Sequence, residues 1–238
     1  MCGRLPGRNG RRLGTAAAAV LALLAAASGA QAFTITLAAA SPRTVFLAVG
    51  DGSFVSTING SPATYCAAPC SYNPPIAQAP NTTPAVNPKI DVVSVSVAAN
   101  AVGNGTAQAM TTNSAQAQSF FDHYGFCNLP NQLYIGGYYR EPGNAGKTAT
   151  VTATVPAALT DGAGDTLPFS QISWTSGGNG DAGAEPFPAG SFNGTSLTVG
   201  TIAQNQWAES CWTFSYKNTV VPAAGTYTGR VLYTISAP

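Results

Sequence analysis

Charged side chains are scarce in this 238-residue sequence, in which Asp, Glu, Lys and Arg together make up 8% of the residues. Soluble domains usually contain about 25% of these residues. The formal net charge is +1, and the only cluster of basic residues lies within the first twelve positions. Nucleic-acid binding depends on several cations that neutralise phosphates. We therefore predict no nucleic-acid partner.

Side chains suited to catalysis or metal binding are also few. His123 is the single histidine, which excludes a histidine-rich metal site. The Gly-x-Ser-x-Gly motif of serine hydrolases is absent. Asp161 and Asp165 lie in a glycine-rich turn and leave a calcium site open, but a calcium loop normally supplies more acidic ligands. We favour a plain turn, and we expect neither an enzyme nor a bound cofactor or metal.

Long apolar runs are lacking except near the N-terminus. Residues 1–32 have the pattern of a signal peptide, with an apolar run at residues 15–27 and a small-residue cleavage site at residues 30–32. Its positive region contains Arg4, Arg8, Arg11 and Arg12. The apolar run is shorter than the ~20 residues that a membrane-spanning helix needs. We therefore predict a secreted chain, residues 33–238, without a membrane span.

Cysteines are few but even in number after the predicted cleavage site: Cys66, Cys70, Cys127 and Cys211. Four cysteines in an exported chain predict two disulfides, with three pairings open. We favour Cys66–Cys70, because only three residues separate them in a proline-flanked loop. The remaining pair, Cys127–Cys211, would close a loop of about 85 residues.

Helical periodicity is nearly absent after the signal peptide. The best helical candidate is the Ala- and Gln-rich segment 107–121, for which we expect a turn or two at most. Patterns typical of strands are frequent, and we expect a bulge at Gly136-Gly137 within one of them. These strand patterns occupy residues 44–49, 90–98, 131–139, 148–155, 167–175, 196–202, 207–216 and 227–236. Residues 59–88 contain seven prolines, which predict a loop.

Seven to nine short strands without alternating helices predict an all-β protein, an antiparallel β-sandwich with long Pro- and Gly-rich loops. We expect residues 33–238 to form one domain. The segment that follows Gly225 is predicted to close the sandwich, because its apolar residues recur with a period of two. Its core-facing residues are predicted to be Tyr227, Val231, Tyr233 and Ile235, while Leu232 is an apolar exception on the outer face.

Two segments resemble spore coat protein U-type domains. Residues 159–176 combine a Gly-Asp turn with an aromatic-bearing strand, and residues 225–236 are similar to that family's terminal strand, in which Gly-Ser/Thr-Tyr precedes alternating Thr and Val. The ending is also similar to that of chaperone–usher pilus subunits, although Ala237 stands where a pilin has an aromatic residue. The resemblance implies an immunoglobulin-like sandwich, exported by a bacterium and assembled into a surface fibre, with other subunits or a periplasmic chaperone as partners.

We therefore expect an exported structural or interaction protein of coat- or fimbrial-subunit type, which acts through strand-edge or surface contacts. The alternative is a secreted monomeric module that binds carbohydrate, or adheres, through exposed aromatic side chains. Trp207 is the candidate sugar contact for this alternative. It falls on the strand face opposite that of Trp212, whose neighbours Phe214 and Tyr216 make a core position the natural interpretation.

Overall fold

The computed structural model of this protein describes residues 43–58, 63–67, 76–78, 91–143, 145–178 and 183–238. All of them belong to the second of two units into which the chain divides, Ala39–Pro238. The predicted signal peptide, Cys70 and the side chain of Cys66 lie outside the described residues.

Nearly all regular structure in these residues is β-strand, which confirms the predicted all-β class. Apart from a single 3-10 turn at Phe169–Gln171, no helix occurs in the described ranges. The strands are β1 (Arg43–Val49), β2 (Gly52–Ile58), β3 (Ala63–Ala67), β4 (Ile76–Gln78), β5 (Val93–Ser94), β6 (Gln108–Ala109), β7 (Thr111–Thr112), β8 (Leu133–Arg140), β9 (Thr148–Thr154), β10 (Ala158–Thr160), β11 (Thr166–Pro168), β12 (Ile172–Gly177), β13 (Gly190–Ser191), β14 (Ser196–Ala203), β15 (Gln206–Tyr216) and β16 (Leu232–Ser236).

Two main sheets carry the fold. The large sheet has the strand order β13–β12–β15–β8–β1–β2–β3–β4, and β6 also pairs with β15. The small sheet has the order β14–β9–β16, and neighbouring strands in both sheets run antiparallel. Two short pairs, β5–β7 and β10–β11, lie outside these sheets. This arrangement is consistent with the predicted sandwich.

The main core joins the two sheets. Strand β9 shows why: Ala149, Val151 and Ala153 are fully buried, while the alternating threonines point away from the core. A period of two places every second side chain on the same face of a strand. The same core cluster includes Ile135 of β8 and Trp212 of β15, so side chains from both sheets bury one another.

The centre of the large sheet is buried on both faces. In β1, Val45 and Leu47 belong to the main core, whereas Phe46 and Ala48 belong to a second, smaller cluster. A strand covered on both sides has an unbroken apolar sequence instead of an alternating one. The run of apolar residues in β1 therefore follows from its central position.

The expected bulge at Gly136-Gly137 is wrong, since β8 keeps a regular register with both neighbouring strands. These glycines serve a close approach instead. A Cβ atom on Gly136 would lie 2.3 Å from the hydroxyl oxygen of Tyr134, whose ring folds over the backbone. The irregularity of register in the small sheet falls between Thr198 and Gly200 of β14.

Three segments differ from their predicted structure. Residues 107–121, the helical candidate, contain β6, β7 and no helix, and their one turn begins only at Phe120. Residues 59–88 were expected to be loop, yet β3 and β4 pair within them, because both strands fall in proline-free intervals of the sequence. The strand expected at residues 227–236 begins only at Leu232.

Candidate functional site

The C-terminal strand lies at an edge of the small sheet. β16 pairs with β9 from Leu232, opposite Thr154, to Ser236, opposite Thr150. Val231, Tyr233 and Ile235 lie half-buried against the main core, while Leu232 on the other face is 45% exposed. Tyr227 also packs half-buried against the core, although it precedes the paired region.

No described strand pairs with the side of β16 that faces away from β9. We refer to this side of β16 as the open edge. The core-facing residues of β9 are fully buried, whereas those of β16 are only half-buried. Tyr233 therefore stays partly accessible as a residue, yet burial of its hydroxyl raises the pKa of Tyr233 above the ordinary tyrosine value. Within the described chain, the core is incompletely covered at this edge.

A second row of half-buried apolar side chains packs against the same core. Val93, Val95 and Val97 alternate with exposed neighbours, as the sequence predicts for residues 90–98. Backbone pairing stops early, however, because only Val93 and Ser94 form a strand, paired with β7. The segment keeps a strand-like alternation of burial without strand partners beyond Ser94 in the described structure.

Residues 159–176 and residues 225–236 contact each other. Thr160 and Thr228 exchange both backbone hydrogen bonds, with N···O distances of 3.0 and 2.8 Å. Gly225 lies against the Asp161 turn so closely that a Cβ atom there would be 2.7 Å from Asp161 Oδ2. A side chain at Gly225 would therefore require the carboxylate of Asp161 to shift.

The Asp161–Asp165 turn is closed by its own carboxylate. Asp161 Oδ1 accepts hydrogen bonds from the backbone N–H groups of Ala163 (2.9 Å) and Asp165 (2.8 Å). This is the ordinary structural use of aspartate in a turn. Across the described residues, no three His, Cys, Asp or Glu side chains come close enough together to hold a metal ion.

Trp207 lies on the outer face of the large sheet, opposite the main core. Its ring packs against Phe46 (centroid separation 5.5 Å), Tyr138 (6.0 Å) and Phe121 (5.6 Å). Trp212, by contrast, is fully buried in the main core. The two tryptophans of β15 therefore lie on opposite faces of the large sheet, as the period of two in the sequence predicts. Trp207 is half-buried within a cluster of rings and does not stand alone on the surface.

Glu209 organises this outer face. Its Oε2 accepts hydrogen bonds from the hydroxyl of Tyr134 (2.7 Å), the indole N–H of Trp207 (2.8 Å) and the hydroxyl of Ser119 (2.9 Å). Burial, together with the negative charge of Glu209, raises the pKa of Tyr134 well above its ordinary value. The carboxylate thereby fixes two aromatic rings and the loop that contains Ser119.

Sequence reasoning missed the residues that this loop exposes. Residues 119–125, here called the aromatic loop, carry Phe121 and Tyr124, which are 68% and 56% exposed. In the sequence, only His123 of this segment was considered as a candidate functional residue. It is exposed and has a φ of 64°. Asp122 Oδ1 accepts the backbone N–H of Tyr124 at 3.0 Å. The available signal was a cluster of three aromatic residues, Phe120, Phe121 and Tyr124, shortly before Cys127.

The favoured pairing of Cys127 with Cys211 is confirmed. These two residues form a disulfide with their Cα atoms 5.5 Å apart, and both are buried in the smaller cluster. The bond ties the end of the aromatic loop segment to the centre of β15. The other predicted pair, Cys66–Cys70, stays a prediction, because Cys70 and the side chain of Cys66 lie outside the described residues.

Comparisons with known proteins assign no family to the chain. No protein-family model matches it, and neither a curated protein nor a solved structure shows significant similarity. In the described part of the chain, no helix has the length and apolar character required to cross a membrane.

Proposed function

We propose that this chain is an exported bacterial structural protein of coat- or fimbrial-subunit type, which acts by accepting a β-strand at the open edge of β16. The observation that carries the proposal is the row of half-buried apolar side chains beside that edge. Its role is binding and not catalysis. The Cys127–Cys211 disulfide suits an oxidising compartment outside the cytoplasm.

Addition of a strand would supply what this edge lacks, which is a hydrogen-bonded neighbour for the backbone and cover for the apolar side chains. The added backbone would pair with the free side of β16, and its alternating apolar side chains would complete the cover of the core. Val231, Tyr233 and Ile235 supply the receiving surface from β16, and the row at Val93, Val95 and Val97 supplies further apolar surface on the same core. Main-chain pairing gives affinity, and the period of the side chains gives register.

The chain contains a segment with the pattern that such an edge requires. Phe33, Ile35 and Leu37 alternate with Thr34 and Thr36, directly after the predicted signal-peptide cleavage site. These three apolar side chains would share one face of a strand. We propose that this segment of a second copy is the strand accepted, so that copies join end to end.

The experiment compares two lysine substitutions in the same strand. Ile235→Lys places a charge on the half-buried row, and Thr234→Lys places the same charge on the exposed face. Binding of a fluorescent peptide with the sequence of residues 33–40 is measured by anisotropy, and self-association by analytical ultracentrifugation. We expect Ile235→Lys to weaken peptide binding at least about tenfold, because burying an unpaired charge is costly. Thr234→Lys should bind as the parent chain does.

Two controls keep the result interpretable. Thermal unfolding of each variant shows whether the charge has disrupted the sandwich itself, and a peptide of the same composition with its alternation scrambled tests register. The proposal is contradicted if the parent chain stays monomeric at high concentration and does not bind the peptide. Equal peptide binding by the two lysine variants contradicts it as well.

A further inference from the structure

The aromatic loop presents an apolar surface that is separate from the open edge. Phe121 and Tyr124 are among the five large apolar side chains that the described structure exposes, and they lie three residues apart. Phe121 extends the ring cluster outward, since its centroid lies 5.6 Å from that of Trp207 at an interplanar angle of 32°. Scattered exposed apolar residues are ordinary, but Phe121 is continuous with the half-buried ring of Trp207, and contiguous exposed apolar surface marks binding sites.

This loop is held rigidly. The Ser119 hydroxyl oxygen accepts the backbone N–H groups of Phe121 (3.0 Å) and Asp122 (3.4 Å), while the hydroxyl itself donates to Glu209. Backbone hydrogen bonds from Ser119 to Tyr124 (2.8 Å) and from His123 to Ser119 (3.1 Å) close the loop. Because these bonds order the loop before any ligand arrives, binding there loses little conformational entropy.

A strained residue lies at the tip of the loop. His123 has a φ of 64°, a left-handed conformation that non-glycine residues seldom adopt. Such conformations persist where the surrounding structure enforces them, and they cluster at binding sites. Phe121 and Tyr124 flank His123 in the sequence, and both are exposed to solvent.

Oxygen acceptors adjoin the exposed rings. All three hydrogen bonds to Glu209 end on Oε2, so the described residues leave Oε1 without a hydrogen bond, and the residue itself is half-buried. On the loop, Asp122 uses Oδ1 for the N–H of Tyr124. The surface therefore combines flat apolar rings with carboxylate oxygens that are held in place beside them.

We propose that the aromatic loop, together with Trp207 and Glu209, forms a binding site for a neutral saccharide. The C–H groups on one face of a sugar ring carry partial positive charge and pack favourably on the electron-rich face of an aromatic ring. Sugar hydroxyls donate to carboxylate oxygens, and charge-assisted hydrogen bonds of this kind are the stronger ones. Charged residues make up only 8% of the chain, so its surface offers little long-range attraction to an ionic partner.

This site does not depend on strand addition at the open edge. The aromatic loop lies on the outer face of the large sheet, whereas β16 belongs to the small sheet and packs against the main core. Ile235→Lys should therefore leave saccharide binding unchanged, and Phe121→Ala should leave peptide binding at the open edge unchanged. Failure of one proposal is then distinguishable from failure of the other.

The test is a calorimetric titration of the full exported chain with soluble neutral hexasaccharides of glucose, xylose, mannose and N-acetylglucosamine. Phe121→Ala removes the exposed ring, and Phe121→Tyr keeps it. Val221→Ala is the matched control, because Val221 is also an exposed apolar residue, at 77%. We expect at least one hexasaccharide to bind, and Phe121→Ala to weaken that binding about tenfold, the loss expected from about half of a phenyl ring's burial.

Phe121→Tyr and Val221→Ala should bind the saccharide as the parent chain does. Binding of no hexasaccharide in the panel would overturn the proposal. Undiminished binding by Phe121→Ala would overturn it equally. Thermal unfolding of Phe121→Ala is measured alongside, and because this side chain is largely exposed, we expect its midpoint to match that of the parent chain.

Discussion

Loss of the Cys127–Cys211 disulfide should remove a large share of the stability of this domain. The bond joins residues 84 positions apart, for which the chain-entropy relation gives about 4.5 kcal/mol. Domains of this kind are stable by about 5–15 kcal/mol in total. Replacing both cysteines by alanine should therefore bring the chain near the limit of folding, with about 1 kcal/mol more lost from buried packing.

Urea unfolding measures this effect directly. With a slope of about 2 kcal/mol per molar urea, the double alanine variant should unfold at a midpoint about 2.7 M lower than the parent chain. Intrinsic tryptophan fluorescence, to which the fully buried Trp212 contributes, reports the transition. Adding reductant to the variant is the control, because any further shift must come from other cysteines. A midpoint shift below about 0.5 M would refute the loop-closure reasoning.

Three further changes have defined outcomes. Gly136→Ala should lower the unfolding free energy by about 1–3 kcal/mol in urea, because the new methyl group meets the ring of Tyr134. The free energy of unfolding should fall as pH rises above the ordinary tyrosine pKa of 10.0, because folding keeps the Tyr134 hydroxyl protonated. Tyr134→Phe should reduce the slope of this fall by up to about 1.4 kcal/mol per pH unit. Asn218→Ala should cost about 2–4 kcal/mol in thermal unfolding, because its buried amide holds Gly103, Ala101 and Thr106.

Local patterns in the sequence predict the strands where one face is buried. The alternation of Thr and Ala or Val in β9 identified both its span and its buried face, because a period of two needs no knowledge of the neighbours. The same reasoning separated Trp212 from Trp207 on the two faces of β15. It was less successful for β8, where the glycines at Gly136-Gly137 suggested a bulge.

The glycine example shows where local reasoning fails. A glycine in a strand is compatible with a bulge or with the close approach of another group. The ring of Tyr134 decides between them, and its position depends on Glu209, which lies 75 residues further along the chain. The helical candidate 107–121 forms strands for a similar reason. Its Ala and Gln favour helix weakly, but pairing of β6 with β15 and of β7 with β5 overrides that preference.

By itself, the sequence determined the all-β class, the faces of the alternating strands and the outward position of Trp207, because each depends on residues a few positions apart. Only the tertiary structure decided that Cys127 pairs with Cys211, that Glu209 joins Ser119, Tyr134 and Trp207, and that β16 keeps an open edge among the described strands. These features join residues that are distant along the chain. Their formation depends on the closure of long loops and on which strands become neighbours, and a local sequence pattern predicts neither.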